Sequence, residues 1–94
     1  MEIQFTTQIF KEGRTFVAHT PELDVSSCGG TKQKALKNLK EAVRLFLEEA
    51  ETMGTLGQIL EEAGFLKNKR KLEGPKFISI QRVSLPLPVA HAKA

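Results

Sequence analysis

Five residues within a ten-residue window have side chains that could carry out hydrolysis. They are His19, Asp24, Ser26, Ser27 and Cys28. A histidine oriented by a carboxylate can activate a serine or cysteine nucleophile. Neighbouring residues of a strand point to opposite faces, so closeness along the chain does not by itself build a triad. Because no nucleophile elbow or cysteine-protease motif surrounds these residues, we predict that the chain is not an enzyme.

The residues expected of a metal or phosphate site are also missing from the sequence. Metal sites in proteins use several histidine, cysteine or carboxylate ligands at short spacing, whereas this chain has two distant histidines, His19 and His91, and a single cysteine. Gly29-Gly30-Thr31 lacks both the Gly-x-x-x-x-Gly-Lys phosphate loop and the dinucleotide fingerprint. We therefore predict no metal and no other cofactor. The two glycines instead predict a sharp strand-to-helix corner, where they permit positive φ angles.

Length and composition favour one small globular domain in the cytoplasm. The chain has 94 residues, of which 40% are apolar and 27% are charged, as is usual for a folded domain. A lone cysteine forms no internal disulfide, no apolar run reaches the roughly 18–20 residues of a membrane helix, and residues 1–4 do not resemble a signal peptide. The formal net charge of +3 permits contact with RNA or an acidic protein without requiring either.

Hydrophobic periodicity predicts an α+β fold. Alternating apolar residues and turn signals predict three strands at residues 3–9, 15–20 and 25–28, joined by a turn at Gly13 and another at Pro21. The three strands would form an antiparallel meander.

The second half of the chain predicts two helices and a closing strand. Thr31 is a good N-cap for a long helix with a stripe of apolar residues, and Gly54 is suited to its end. A short helix would follow at residues 55–62, and residues 77–87 would form the last strand with a bulge near residues 81–82. We therefore expect the order β-β-β-α-β, with one antiparallel sheet packed against one long helix and a short extra helix before the last strand. Residues 1–89 would be a single domain and residues 90–94 a short tail.

Two groups of basic residues are candidate binding surfaces. Lysines crowd the start of the long helix, where the helix dipole disfavours positive charge. A second group lies in a segment predicted to be an exposed loop. The candidates are Lys32, Lys34, Lys37 and Lys40 on the helix, and Lys67, Lys69, Arg70 and Lys71 in the loop. They could contact an acidic protein surface or RNA; the alternative is that they form a solvated face with no partner.

Three segments resemble the HicB family of antitoxins. They are residues 16–31 (FVAHTPELDVSSCGGT), residues 35–49 (ALKNLKEAVRLFLEE) and residues 77–89 (FISIQRVSLPLPV). In that family a proline-containing turn joins two strands, a Gly-x-Thr corner caps the helix, and an Ala-x-x-x-x-x-Glu-Ala stretch forms its middle. The resemblance is close over about half of the chain and concerns structural residues, none of them catalytic.

The resemblance implies a fold and a partner. The fold would be a partial ribonuclease-H-like arrangement without the catalytic carboxylates of that enzyme. The partner would be a HicA-type toxin, a small ribonuclease that cleaves messenger RNA and is silenced when HicB covers its active surface. A homo-oligomer, with a dimer favoured, is also implied.

Two departures from the family limit what can be transferred. Many members carry a C-terminal module for operator DNA, whereas this chain ends about five residues after the predicted last strand, so we do not expect autonomous DNA binding. The family often has acidic residues around the corner, where this chain has Gly30, Lys32, Gln33 and Lys34, so no toxin-binding residue is transferred. We predict an antitoxin; the alternatives are a stand-alone RNA-binding module and an orphan family member without a toxin partner.

Overall fold

A computed structural model describes residues 1–89 of the chain. Its elements are β1 (Glu2–Gln4), β2 (Gln8–Glu12), β3 (Thr15–Thr20), β4 (Val25–Gly29), α1 (Lys32–Met53), α2 (Leu56–Glu62), β5 (Leu66–Asn68) and β6 (Lys71–Glu73). The fold is α+β, as the sequence predicts. The predicted tail at residues 90–94 lies outside the described residues.

The strands form two small sheets, so the prediction of one antiparallel sheet is wrong. Strands β2, β3 and β4 make an antiparallel meander, and the second sheet has the order β1-β6-β5 with β1 and β6 parallel. The predicted first strand is interrupted between β1 and β2. There the Thr6 amide donates to the Glu22 carboxylate at 2.8 Å, and an amide bonded to a side chain is not available to a sheet ladder.

The long helix α1 has the predicted bounds for local reasons. The Thr31 hydroxyl accepts a hydrogen bond from the Lys34 amide at 3.1 Å, which satisfies one unpaired donor of the first turn. At the other end Gly54 adopts the left-handed conformation, with φ of 75°. The predicted short helix is also confirmed as α2, and Gly64 follows it with φ of 83°.

The apolar face of α1 packs on the β2-β3-β4 sheet and forms the core. Leu39 is fully buried and Val43 is 2% exposed, and both belong to one cluster with Ala18 of β3. The remaining buried members of this cluster are Leu23, Ala35 and Phe65. Because the register pairs Ala18 with Ser27, these two residues share the helix-facing side of the sheet, while Val17 and His19 point to the other side.

The corner between β4 and α1 uses its glycines differently from the prediction. Neither Gly29 nor Gly30 has a positive φ angle, so the corner forms without the conformations that the glycines permit. What Gly29 supplies is space, because a Cβ atom there would lie 2.7 Å from the backbone nitrogen of Ala35. A Cβ atom on Gly30 would meet nothing within 4 Å. The strand can therefore approach the first turn of the helix only where residue 29 has no side chain.

The C-terminal part of the fold corrects two further predictions. Residues 67–71, predicted to be a loop, belong to a hairpin in which β5 and β6 pair around a turn containing Lys69, whose φ is 60°. The predicted last strand at residues 77–87, with its bulge, is not formed. Strand β1 pairs with β6, which precedes that segment, from Glu2–Lys71 to Gln4–Glu73.

Candidate binding surfaces

The basic residues of α1 are exposed, as predicted. At 100° per residue, Lys34 and Lys37 lie opposite the buried stripe that contains Leu39 and Val43. Lys40 follows Lys37 on the same ridge of the helix. Within residues 1–89 no carboxylate pairs with Lys32, Lys34, Lys37 or Lys40. The start of the helix therefore presents a basic surface to solvent.

The exposed face of α1 changes charge along its length. Arg44 bonds to Glu41 and also to Glu48, whose Oε2 lies 2.6 Å from Arg44 Nη1. Four-residue spacing in the sequence permits the pairs Lys37–Glu41 and Arg44–Glu48. The second pair forms, whereas Glu41 bonds to Arg44 and not to Lys37. The hydrogen bond from Arg44 lowers the pKa of the Glu41 carboxyl and raises the pKa of the guanidinium. Positive charge is thus neutralised in the middle of the helix and left unpaired at its start.

We expect Lys34→Glu to stabilise the isolated chain. The first turn of α1 contains no acidic residue, and residue 34 is the position whose amide bonds to the Thr31 hydroxyl. A glutamate there completes a capping box and complements the helix dipole, so the free energy of unfolding should rise by about 0.3–1 kcal/mol at low salt. Urea denaturation measures this change.

The matched control is Lys37→Glu, which makes the same charge change one turn later. It places a second carboxylate four residues before Glu41, a like-charge spacing that destabilises a helix. A gain for Lys37→Glu equal to that for Lys34→Glu would show that lower net charge, and not the helix terminus, is responsible.

The second basic group lies on the β5–β6 hairpin. Lys69, Arg70 and Lys71 line a surface depression of about 450 Å³ together with Asn68 and Glu73. Lys67 lies on the same hairpin, opposite Leu72 in the register. The hairpin pairs with β1 and α1 packs on the other sheet, so the eight basic candidates form two separate groups on different elements.

The residues that could carry out hydrolysis are only partly brought together. Nε2 of His19 and Oδ1 of Asp24 are 2.9 Å apart, and the Asp24 side chain is 93% exposed. Ser26 is the cross-strand neighbour of His19, and Cys28 follows two positions along the same face, while Ser27 lies on the helix side. This is an exposed histidine–carboxylate pair on an open sheet face. It could orient an imidazole, but the hydroxyl and thiol lie on an adjacent strand with no hydrogen bond to the ring.

Sequence reasoning missed the role of Glu22. Its carboxylate accepts hydrogen bonds from the Thr6 amide and, at 3.1 Å, from the hydroxyl of the fully buried Thr20. The turn residue therefore ties the start of β2 to the end of β3. A turn signal at Pro21 marked the position, but nothing local indicated its partner sixteen residues earlier in the chain.

No protein-family model, curated protein or solved structure matches this chain. No helix among residues 1–89 is both long enough and apolar enough to cross a membrane. In the same range, no three or more histidine, cysteine or acidic side chains are grouped so that they could hold a metal ion.

Proposed function

We propose that this chain is a HicB-like antitoxin, a non-enzymatic cytoplasmic protein that binds a small HicA-type toxin and covers its RNA-cleaving surface. The observation that supports the proposal best is the run of elements from β3 to α1. Residues 16–49 form a strand, a proline turn, a second strand, a close glycine corner and a helix capped by Thr31. These are the residues that resemble the family most closely. A partial ribonuclease-H-like HicB fold is part of the same proposal.

Steric inhibition needs a rigid binding surface, and the β2-β3-β4 sheet packed against α1 provides one. Helix α1 covers only one face of the β2-β3-β4 sheet. On the other face Phe10 is 49% exposed, and Phe10, Val17 and Cys28 are consecutive cross-strand neighbours. An apolar stripe on a sheet that is packed from behind is a suitable site for another protein, because it binds with little loss of its own conformational entropy.

Co-expression with a neighbouring toxin candidate tests the proposal. The toxin candidate is a small neighbouring gene that encodes a basic domain with an essential histidine. It is expressed in a host whose growth it arrests, with and without this chain. We expect the chain to restore growth and to co-purify with the toxin. Growth arrest that persists although the folded chain accumulates, with no complex on size-exclusion chromatography, would contradict the proposal.

Stand-alone RNA binding is the second candidate, and the β5–β6 hairpin is the observation that favours it. Three cationic side chains, Lys69, Arg70 and Lys71, surround one depression. If they bind single-stranded RNA, affinity falls as salt rises, and each phosphate contact makes the slope of log affinity against log salt more negative by about 0.7. Under this alternative Lys69→Glu with Arg70→Glu flattens that slope, whereas Lys34→Glu on α1 does not. Under the antitoxin proposal, neither change alters RNA affinity.

A further inference from the structure

Residues 76–89, the C-terminal arm, leave a large apolar surface exposed. The arm forms no helix or strand. Its seven large apolar side chains range from 46% to 93% exposed, and they are Phe77, Ile78, Ile80, Val83, Leu85, Leu87 and Val89. A compact chain of 10.4 kDa has an accessible surface of about 5,400 Å², whereas this chain has 7827 Å². The radius of gyration is 16.6 Å, against about 12 Å for a compact domain of this length.

The end of the arm has the pattern of a strand that can pair on one side only. Val83, Leu85, Leu87 and Val89 alternate with serine and proline, so an extended backbone would place all four on one face. Pro86 and Pro88 have the same parity, and the amides of alternate strand residues point to the same edge. The strand edge to which the amides of residues 86 and 88 would point therefore lacks two N–H donors. The opposite edge keeps the backbone N–H groups of the apolar residues. Such a strand extends a sheet and then stops its growth.

Strand β2 offers the matching edge. It lies at the edge of its sheet, since it pairs with β3 and with no other strand of residues 1–89. Outside the arm, Ile9 and Phe10 are the only exposed large apolar side chains on the β2-β3-β4 sheet, at 40% and 49%. An open strand edge flanked by exposed apolar side chains favours addition of another strand.

A second copy of the chain is the occupant that the observations favour. Phe77 and Ile80 still line a depression beside Phe5 and Thr6 of their own chain, but Leu85 and Leu87 are 82% and 70% exposed. Each copy has one arm and one open β2 edge. In a two-fold symmetric dimer, each arm can therefore pair with the β2 edge of the other copy, which leaves neither edge open. The chain exposes roughly 2,400 Å² more surface than a compact chain of its mass, and a standard interface buries about 800 Å² of each partner.

We propose that residues 83–89 of each chain add to the β2 edge of a second copy, giving an arm-exchanged homodimer. The inference does not depend on the toxin. In the dimer the apolar face of the arm covers Ile9 of the other copy, on the helix-facing side of its sheet, so Phe10 on the opposite face stays open. The edge carrying Pro86 and Pro88 faces outward. The prolines then limit the assembly to two copies.

Analytical ultracentrifugation of the full chain tests the proposal. We expect a dimer for the native chain, and for the double variant Leu85→Asp with Leu87→Asp a dissociation constant raised about thirtyfold or more, as for removal of an interface hot spot. The matched control is Leu45→Asp, on the exposed side of α1, which should remain a dimer. Circular dichroism checks that α1 is intact in each variant. A monomeric native chain, or a double variant that dimerises as tightly as the native chain, would overturn the proposal.

Disulfide trapping distinguishes an arm that pairs with the other copy from an arm that folds back onto its own chain. With Cys28→Ser to remove the native thiol, Ile9→Cys is combined with Leu87→Cys. We expect oxidation to give a covalent dimer on a non-reducing gel, and Leu45→Cys in place of Leu87→Cys to give none. A disulfide formed within one chain would show that the arm belongs to its own β2 edge and would rule out the exchange.

Discussion

Replacing Gly29 with alanine is expected to destabilise the chain strongly. The new Cβ atom would lie 2.7 Å from the Ala35 nitrogen and 2.9 Å from the carbonyl carbon of Lys34, both backbone atoms of the first turn of α1. Backbone cannot move aside as a flexible side chain can, so β4 and the helix must separate. Overpacking of this kind costs about 1–3 kcal/mol. Urea denaturation followed by circular dichroism would show a lower midpoint.

The adjacent glycine provides the matched control for this prediction. A Cβ atom on Gly30 meets nothing within 4 Å, and Gly30 has no positive φ angle. Gly30→Ala should therefore leave stability unchanged or raise it by about 0.4–1 kcal/mol through a less flexible unfolded state. If both alanine variants lost the same stability, chain flexibility at the corner would be responsible and the close approach at Gly29 would not.

Leu39→Ala is expected to destabilise the core strongly. Leu39 is fully buried in the cluster that joins α1 to the β2-β3-β4 sheet. Truncating a buried leucine costs about 2–5 kcal/mol, because the transfer free energy is lost and a cavity remains. In a domain of this size each kcal/mol lowers the melting temperature by about 4–8 °C. Differential scanning calorimetry measures the change.

Leu45→Ala on the same helix is the control, because Leu45 is 53% exposed. Substitutions at such positions usually change stability by no more than about 0.5 kcal/mol. A similar melting temperature for the two variants would mean that Leu39 is not buried between α1 and the sheet.

The elements that sequence predicted well are those specified by neighbouring residues. Helix α1 begins after Thr31 and ends before Gly54 because one side chain caps the first turn and one glycine accepts the left-handed conformation. Strand β3 at Thr15–Thr20 follows the turn at Gly13, whose φ of 61° favours glycine. Each of these signals lies within a few residues of the structure it determines.

The features that sequence missed depend on contacts between distant residues. The break between β1 and β2 follows from the bond of Thr6 to Glu22, and the parallel pairing of β1 with β6 joins strands that are far apart in the sequence. Residues 77–87 have a strand pattern but no partner strand among residues 1–89. Period-two alternation shows that a segment can form a strand and does not show which chain supplies the neighbour.

The candidate site was predictable in part. Charge patterning alone indicated that Lys34 and Lys37 would be exposed, since they fall outside the apolar stripe of α1. It did not indicate that the hairpin would gather Lys69, Arg70 and Lys71 around one depression, because that grouping depends on the pairing of β5 with β6. It also did not indicate the pair formed by His19 and Asp24, which the turn between β3 and β4 brings to 2.9 Å.

The most direct test of the antitoxin proposal is whether the purified chain inhibits the toxin candidate. RNA cleavage by the HicA-type candidate is followed while this chain is added in increasing amounts. If the chain covers the toxin's active surface, cleavage falls in proportion to the chain added and stops at a fixed stoichiometry, with the toxin chemically intact by mass spectrometry. Cleavage that continues undiminished in a large excess of folded chain, or a toxin found covalently altered, would contradict it.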